Sequence, residues 1–398
     1  MTDYLWASFI AANPGQNVLV FSSADGKTWT DNRDIQQSSG FAPSLATFNG
    51  KVYVAFIAND SGQNVLVCST SDGIHWSREK DIRQASSNAP SLAVFKGRLY
   101  VAFIANDSGQ NVLICSTADG ENWSNDTDIH QASGGFAPSL SAFQDRLYVA
   151  FIANDSGQNV LVCSTADGAN WTDNTDIHQA SGSAPSLTEF KGRLYVAFLA
   201  NDSGQNVLVC SSADGANWTN NTDIHQASGQ APSLVTFNGT LYVAFNANDS
   251  YGAPFTFGQV GGPDLLICSS GDGTSWSSDL NTKQMTGFAP SLAVGPFPCS
   301  AAPAPPPPPP PTGPQVWANL VDSLHATVFG SGFSSDDCTV VVDGEGDVPS
   351  HTYSGNIKTG IPVGIQCENQ GQYWTYHVTS ALGPPTVSGQ INCPGGGL

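Results

Sequence analysis

Basic residues are scarce in this chain. It carries 13 lysines and arginines against 33 aspartates and glutamates, a formal net charge of −20 at neutral pH. The few basic residues form no run, which excludes the phosphate-neutralising surface that nucleic-acid binding requires. Apolar runs are short as well: none reaches the roughly 18 residues of a membrane-spanning helix, so no membrane span is expected. No segment shows the 3.6-residue apolar period of an amphipathic helix. The N-terminal stretch Met-Thr-Asp-Tyr-Leu-Trp lacks a basic region and an apolar h-region, so no classical signal peptide is visible. Sequons are abundant, as at Asn59, Asn106, Asn122, Asn170 and Asn217, and a eukaryotic secretory route would load the chain with glycans. The expectation is a bacterial product or one exported without a classical signal, with the cytoplasm as the other location.

Against these absences stands a repeat. Ala-Pro-Ser begins again at Ala42, Ala89, Ala137, Ala184, Ala231 and Ala289. A tryptophan ending S/T-x-D-G-x-x-W recurs at Trp29, Trp76, Trp123, Trp171, Trp218 and Trp276. The period is 47 or 48 residues apart from a longer last step. In the copy from Ala89 to Gly134, four short runs rich in β-branched and aromatic residues are separated by turn residues. They are P-S-L-A-V-F, R-L-Y-V-A-F-I-A, Q-N-V-L-I-C-S-T, and a fourth from Trp123 through Asp128-Ile129. In the second run Leu99, Val101 and Phe103 face one way, and Tyr100, Ala102 and Ile104 the other. Both faces are apolar, so the strand must be covered on both sides.

A four-stranded sheet repeated at this period and buried on both faces is a propeller blade. A solenoid would need polar capping repeats. Here the two ends are incomplete and complementary: Tyr4 to Phe9 is second-strand material, and Ala289 to Val294 is first-strand material. The predicted fold is all-β: a six-bladed β-propeller over 1–300, closed by the first and last strands of the array. A proline-rich spacer over 301–314 is stiff polyproline II. Residues 315–398 contain the alternating runs Val316–Leu320, Ala326–Phe329, Thr339–Asp343 and Tyr373–Val378, which read as a small β-sandwich.

The S/T-x-D-G-x-x-W turn, Ser23 to Trp29 and its five copies, resembles the Asp-box (BNR) repeat of sialidase-like propellers, shortened by one residue. The resemblance implies a structural turn found in enzymes and lectins alike. Gly330-Ser-Gly-Phe333 resembles the start of an Ig-like TIG module, which implies an accessory binding or assembly domain through which the chain could oligomerise.

Cys68, Cys115, Cys163, Cys210 and Cys268 hold one position in the third strand of successive blades, with Phe21 there in the first. Packed sheets lie about 10 Å apart, beyond the roughly 7 Å limit for a disulfide, so these read as buried thiols. Cys299, Cys338, Cys367 and Cys393 could form two disulfides, with three connectivities, or remain free.

In a four-stranded meander the loops after the first and third strands share one face, here the bottom, and those after the second and fourth share the top. The Asp-box turn drifts between repeats. The top loop N-D-S-G-Q-N does not. The candidate carbohydrate-binding residues are therefore Asn59, Asp60, Gln63 and Asn64; Asn106, Asp107, Gln110 and Asn111; Asn154, Asp155, Gln158 and Asn159; and Asn201, Asp202, Gln205 and Asn206. The loop Asp-Ile-His-Gln-Ala-Ser-Gly adds Gln84, His130, Gln131, His178, Gln179, His225 and Gln226. Amides and carboxylates repeated round a rim suit sugar hydroxyls, and several weak sites on one rigid disc give avidity. The chain is similar in architecture to repeat-propeller lectins. Phe41, Phe136 and Phe288 are the stacking candidates. The first repeat has Ala12-Asn13-Pro14 for Asn-Asp-Ser, and the sixth inserts Tyr251 to Phe257 and more, so four good sites are expected, in blades two to five.

The position before the glutamine holds Gln36, Arg83, His130, His178, His225 and Lys283, too varied for a metal site, and one carboxylate per top loop is too few for a Ca²⁺ cage. No cofactor or metal is expected. A sialidase clamps its substrate with three arginines. Of the six here, Arg98, Arg146 and Arg193 are one bottom-face position, Arg33 and Arg78 follow Asp-box tryptophans, and Arg83 alone lies at the top. No unique carboxylate pair for a glycosidase stands out either. The chain is read as a non-enzymatic, multivalent lectin for glycans. A protein-binding or structural propeller is the alternative, and a glycoside hydrolase is third.

Overall fold

The computed structural model describes residues 3–248, 263–299, 314–320, 325–331, 333–343, 350–365 and 373–392. The chain divides into two compact units, Met1–Ala302 and Pro303–Leu398. The sixth-repeat insertion, the proline-rich spacer, Cys367 and Cys393 lie outside the described residues.

The first unit is a six-bladed β-propeller. Blade three is typical, with Ser91–Phe95 innermost, then Arg98–Ile104, Asn111–Thr117 and Thr127–Ala132 outermost. Turn chemistry sets each reversal. The Lys96-Gly97 turn is left-handed at both residues, as a two-residue hairpin requires. Blade one is assembled from both ends of the array: Ser291–Gly295 pairs antiparallel with Tyr4–Ile10, with Leu5 opposite Val294 and Ala7 opposite Leu292.

Each second strand is buried on both sides, and each side belongs to a different interface. Leu99, Val101 and Phe103 share a core with Ala55 and Ile57 of blade two. Tyr100, Ala102 and Ile104 share one with Leu147, Val149 and Phe151 of blade four. The third-strand cysteines are buried in these interfaces as free thiols, and burial pushes Cys115 and its equivalents up to about 12. In blade one the ring of Phe21 fills the place and tilts against Trp29 at 4.6 Å.

The bottom face is stapled by the aspartate of each S/T-x-D-G-x-x-W turn. Asp119 Oδ1 accepts the N–H groups of Glu121 and Asn122, each at 2.8 Å, and the hydroxyl of Thr117 at 2.9 Å. Gly120 follows with positive φ, and a Cβ there would collide with the Tyr53 hydroxyl of blade two. The same tyrosine-over-glycine contact joins Tyr100 to Gly168, Tyr148 to Gly215, Tyr195 to Gly273 and Tyr242 to Gly26. At the closing blade the tyrosine position is Trp6. There the backbone at Pro298 and Cys299 covers Gly73 instead, Trp6 Nε1 donates to the Phe297 carbonyl at 2.8 Å, and the Cys299 N–H donates to Ser22 Oγ at 2.7 Å.

At the axis the innermost strands of neighbouring blades are joined by serine. Ser44 Oγ accepts the N–H of Leu92 at 2.9 Å, and the pattern runs through Ser91–Leu140, Ser139–Leu187, Ser186–Leu234, Ser233–Leu292 and Ser291–Leu45. The sixth bond closes the circle.

The second unit is a two-sheet sandwich. Gln315–Leu320, His325–Ser331 and Ile361–Gly364 form one sheet. His351–Asn356, Asp337–Asp343, Tyr373–Ser380 and Gly383–Asn392 form the other. Val328, Val363, Val340, Val342, Tyr376 and Val378 meet in their shared core.

Two expectations are corrected. The fourth strand does not start at the tryptophan. Trp123 makes a single bridge to Thr117, and the strand proper is Thr127–Ala132. His130 and Gln131 thus lie in the outermost strand rather than in a top loop. Cys299 and Cys338 are free thiols, so the two-disulfide alternative fails for both; Cys299 is packed in the propeller core beside Trp6.

Two measurements check this account. Ser139→Ala leaves the buried Leu187 N–H without an acceptor and is expected to cost about 1–3 kcal/mol in urea unfolding; an unchanged midpoint would remove the axial ring from the account. Backbone N–H bonds hold Asp25 at about 2, below the ordinary 3.8, and lower Asp119, Asp167, Asp214 and Asp272 too; Asp72 is lowered first by its hydrogen bond with the His75 side chain and then by backbone N–H groups. A depressed carboxyl stabilises the fold above its unfolded value and loses that contribution as the acid titrates. The melting temperature should therefore hold above about pH 5 and fall steadily from about pH 4 towards pH 2. Asp→Asn at the six positions should flatten that fall, and a wild-type profile level to pH 2 would contradict the assignment.

Candidate functional site

The top loop after each second strand is a tight turn built by its own aspartate. Asp60 Oδ1 accepts the N–H of Gly62 at 2.8 Å and of Gln63 at 3.1 Å. Gln63 has φ of 48°, in the left-handed region. Asp107, Asp155 and Asp202 repeat the arrangement. In each the second carboxylate oxygen is left with no bond from any described residue, on an exposed side chain. The side-chain amides of Gln63 and Gln110 are similarly uncommitted.

Asn64 does not contribute to that open surface. Its Nδ2 donates to Asp81 Oδ2 at 2.9 Å, across to the outermost strand. Asn111, Asn159 and Asn206 bond Asp128, Asp176 and Asp223 in the same way. The other oxygen of each aspartate accepts a backbone N–H two residues on, as His130 N–H to Asp128 Oδ1 at 2.7 Å. That bond holds a bulge at which His130, His178 and His225 have φ of 58–59°. Their rings project outward; those of His130 and His178 are 89% and 88% exposed. Blade six exchanges the partners: Asn281 Nδ2 donates to Asp264 Oδ2 at 2.6 Å, and Asn281 Oδ1 accepts from the Lys283 N–H. The bond survives the exchange, which marks the pair as a structural unit.

Two further amide sets join blades. Asn59 Nδ2 donates to Gln16 Oε1 at 2.8 Å, Asn201 to Gln158 at 3.2 Å and Asn248 to Gln205 at 3.4 Å. Lower on the outer side, Gln84 Nε2 donates to Asp126 at 3.1 Å, whereas Gln131 and Gln179 accept from Asn174 and Asn221 at 2.7 and 2.6 Å. Asn106, Asn154 and Gln226 occupy the corresponding positions at their own junctions. The predicted set therefore separates. Asn64 and its equivalents tie strands together, and Gln84, Gln131 and Gln179 tie blades together. The four turn aspartates, with Gln63 and Gln110, keep open hydrogen-bonding capacity at the top of the blade junctions.

The structure adds a place that the sequence pattern did not single out. A cavity of about 300 Å³ opens on the axis, walled by the six Ala-Pro-Ser segments. Its rim is the residue before each alanine: Phe288, Phe41, Asn88, Phe136, Ser183 and Gln230 in blades one to six. The three phenylalanines thus line one cavity, each also packed against the core of one blade junction. The signal was a variable residue set directly before an invariant tripeptide. Among the described residues no cluster of three or more His, Cys, Asp or Glu could hold a metal ion.

A family model described as the DUF6242 β-propeller domain matches residues 23–186, from the first S/T-x-D-G-x-x-W turn to the start of blade five. No curated protein matches the chain. Among solved structures it is similar to the six-bladed β-propeller fungal lectin of Aleuria aurantia, described with a fucose recognition mode. The identity is 14% and the TM-score 0.48, over 72% of this chain and 98% of that one. It is also similar to AofleA from Arthrobotrys oligospora at 11% identity and TM-score 0.49, over 74% and 90%. A third is an α-L-arabinofuranosidase from Clostridium thermocellum at 12% identity and TM-score 0.44, over 63% and 97%.

The exchange in blade six supplies a test. Asn159→Asp sets two carboxylates face to face and should cost about 1–2 kcal/mol in chemical unfolding. Adding Asp176→Asn rebuilds the blade-six pair and should recover most of that loss, a coupling readable from the double-mutant cycle. Additive losses would refute the structural-pair assignment.

Proposed function

We propose that the propeller is a non-catalytic glycan-binding module whose sites lie at the top-face junctions of blades two to five. The observation that carries this is the divided carboxylate of Asp60, Asp107, Asp155 and Asp202. One oxygen closes the turn and the other stays open, four times over, on a rigid disc. An open carboxylate oxygen accepts from sugar hydroxyls, and neighbouring amides donate and accept. Each such site is shallow and weak alone, and repetition supplies the avidity.

Two features favour this over the alternatives. Met285 is the one exposed large hydrophobic among the described propeller residues, whereas a protein-docking face presents a contiguous apolar patch. The axial cavity is lined by neutral side chains, whereas a glycoside hydrolase works with a pair of carboxyl groups.

The test is a glycan-array screen of the full chain and of the variant carrying Asp→Asn at positions 60, 107, 155 and 202. Asparagine keeps the turn acceptor Oδ1 and turns the open oxygen into an amide. Selective glycan binding should appear and fall by at least about tenfold in the variant, with the melting temperature unchanged. No binding at any density would overturn the lectin reading, and undiminished binding by the variant would move the site away from these junctions.

A further inference from the structure

The axial cavity stands apart from the junction sites in number and chemistry. There is one per propeller, and its rim breaks the sixfold repeat. Phe288 and Phe41 are neighbours on blades one and two, and Phe136 stands on blade four, across the ring from Phe288. Ser183 and Gln230 are neighbours on blades five and six, with Ser183 across from Phe41. Asn88 is already committed: its Nδ2 donates to the Gly135 carbonyl at 2.6 Å, and its Oδ1 accepts the Ala89 N–H at 2.8 Å. The Ser183 hydroxyl and the Gln230 amide, both half-buried, make no side-chain hydrogen bond to any described residue. The cavity thus has an aromatic side and an unsatisfied polar side, above walls of alanine and proline. Ligand pockets combine an apolar lining with a few placed polar groups at about this size.

We propose that this cavity is a second site, independent of the junctions, which takes a single neutral, hydroxylated six-membered ring of the pyranoside class. The lining has no ionisable side chain, so a charged ligand would lose its hydration without a counter-charge. A wholly apolar ligand would leave the Ser183 and Gln230 groups desolvated and unpaired. A pyranoside presents C–H groups on one face and hydroxyls along its edge. The face suits the phenylalanines, and the edge suits a hydroxyl and an amide that can each donate and accept. The volume, about 300 Å³, admits one ring and not a chain, so the stoichiometry is one per propeller whatever the junctions do.

The test is calorimetric titration of the full chain with the methyl α- and β-pyranosides of the common hexoses and 6-deoxyhexoses. At least one is expected to bind with a stoichiometry of one. Gln230→Leu, which keeps the bulk and removes the amide, should weaken that binding by about tenfold, the worth of one buried hydrogen bond. Ser183→Ala should weaken it in the same direction, and both variants should keep the wild-type melting temperature. The four-position Asp→Asn variant should bind that pyranoside as wild type does, so the junction reading and this one fail separately. Absence of binding by every pyranoside would overturn the proposal. So would a stoichiometry above one that vanishes in the Asp→Asn variant, or binding indifferent to Gln230→Leu.

Discussion

The fold depends on how six sheets meet at one axis. Blades radiate, so innermost strands of neighbours converge without lying in register as a sheet, and their inward N–H groups would be buried without partners. Such a group costs more than a made hydrogen bond returns. Three residues resolve this. Alanine keeps the axis narrow. Proline brings no N–H to it at all. Serine reaches sideways, so that Ser186 Oγ takes the N–H of Leu234 in the next blade. The last link, Ser291 to Leu45, exists only because Tyr4–Ile10 pairs with Ser291–Gly295. Axis and closing blade therefore require each other.

Outward from the axis, the polar residues of the repeat are assigned in order. The S/T-x-D-G-x-x-W turn and the overlying tyrosine fix the bottom, the asparagine–aspartate pair fixes the bulged outer strand, and the amide pairs fix one blade to the next. Identity between copies thus has a structural cause at most of these positions. What remains after this subtraction is small, the second oxygen of each turn aspartate and a few free amides. A recurrent site assembled from such leftovers is shallow by necessity, because the deeper polar groups are already bonded within the fold.

Much of the fold was legible in the sequence. The six-blade count, the mixed closing blade, the two-sided burial of Leu99 to Ile104 and the placement of Phe21 for cysteine all follow from period and alternation. Those patterns are enforced by burial on every repeat. The outer strand was less legible. Asp128-Ile129-His130-Gln131 lacks alternation because its middle residue is a left-handed bulge, and a histidine in that conformation leaves no mark in composition. Invariance of Asn64 looked functional because the partner that explains it, Asp81, sits 17 residues away in sequence. The axial rim was hidden for the opposite reason. Its residues differ in type from blade to blade, and only the closed ring brings Ser183, Gln230 and three phenylalanines to one place.

The glutamine of the outer strand shows how repeats diverge without losing the fold. A primary amide both donates and accepts, so Gln84 can give a hydrogen bond to Asp126 while Gln131 and Gln179 receive one from Asn174 and Asn221. Gln37 donates to Glu79 on one side of the closing blade, and Gln284 accepts from Asn32 on the other. The partner drifts between acid and amide, and the geometry stays. The consequence is electrostatic. The partner is a carboxylate in blades two and three, Glu79 and Asp126, and an amide in blades four and five, Asn174 and Asn221, with Arg78 and Lys80 flanking Glu79 and Asp173 beside Asn174. Exposed charges act over about 8–10 Å at physiological salt, so a charged ligand would meet unequal junctions, whereas a neutral one meets near-equal copies. The hydrogen-bonded frame is therefore closer to sixfold symmetry than the charge that surrounds it.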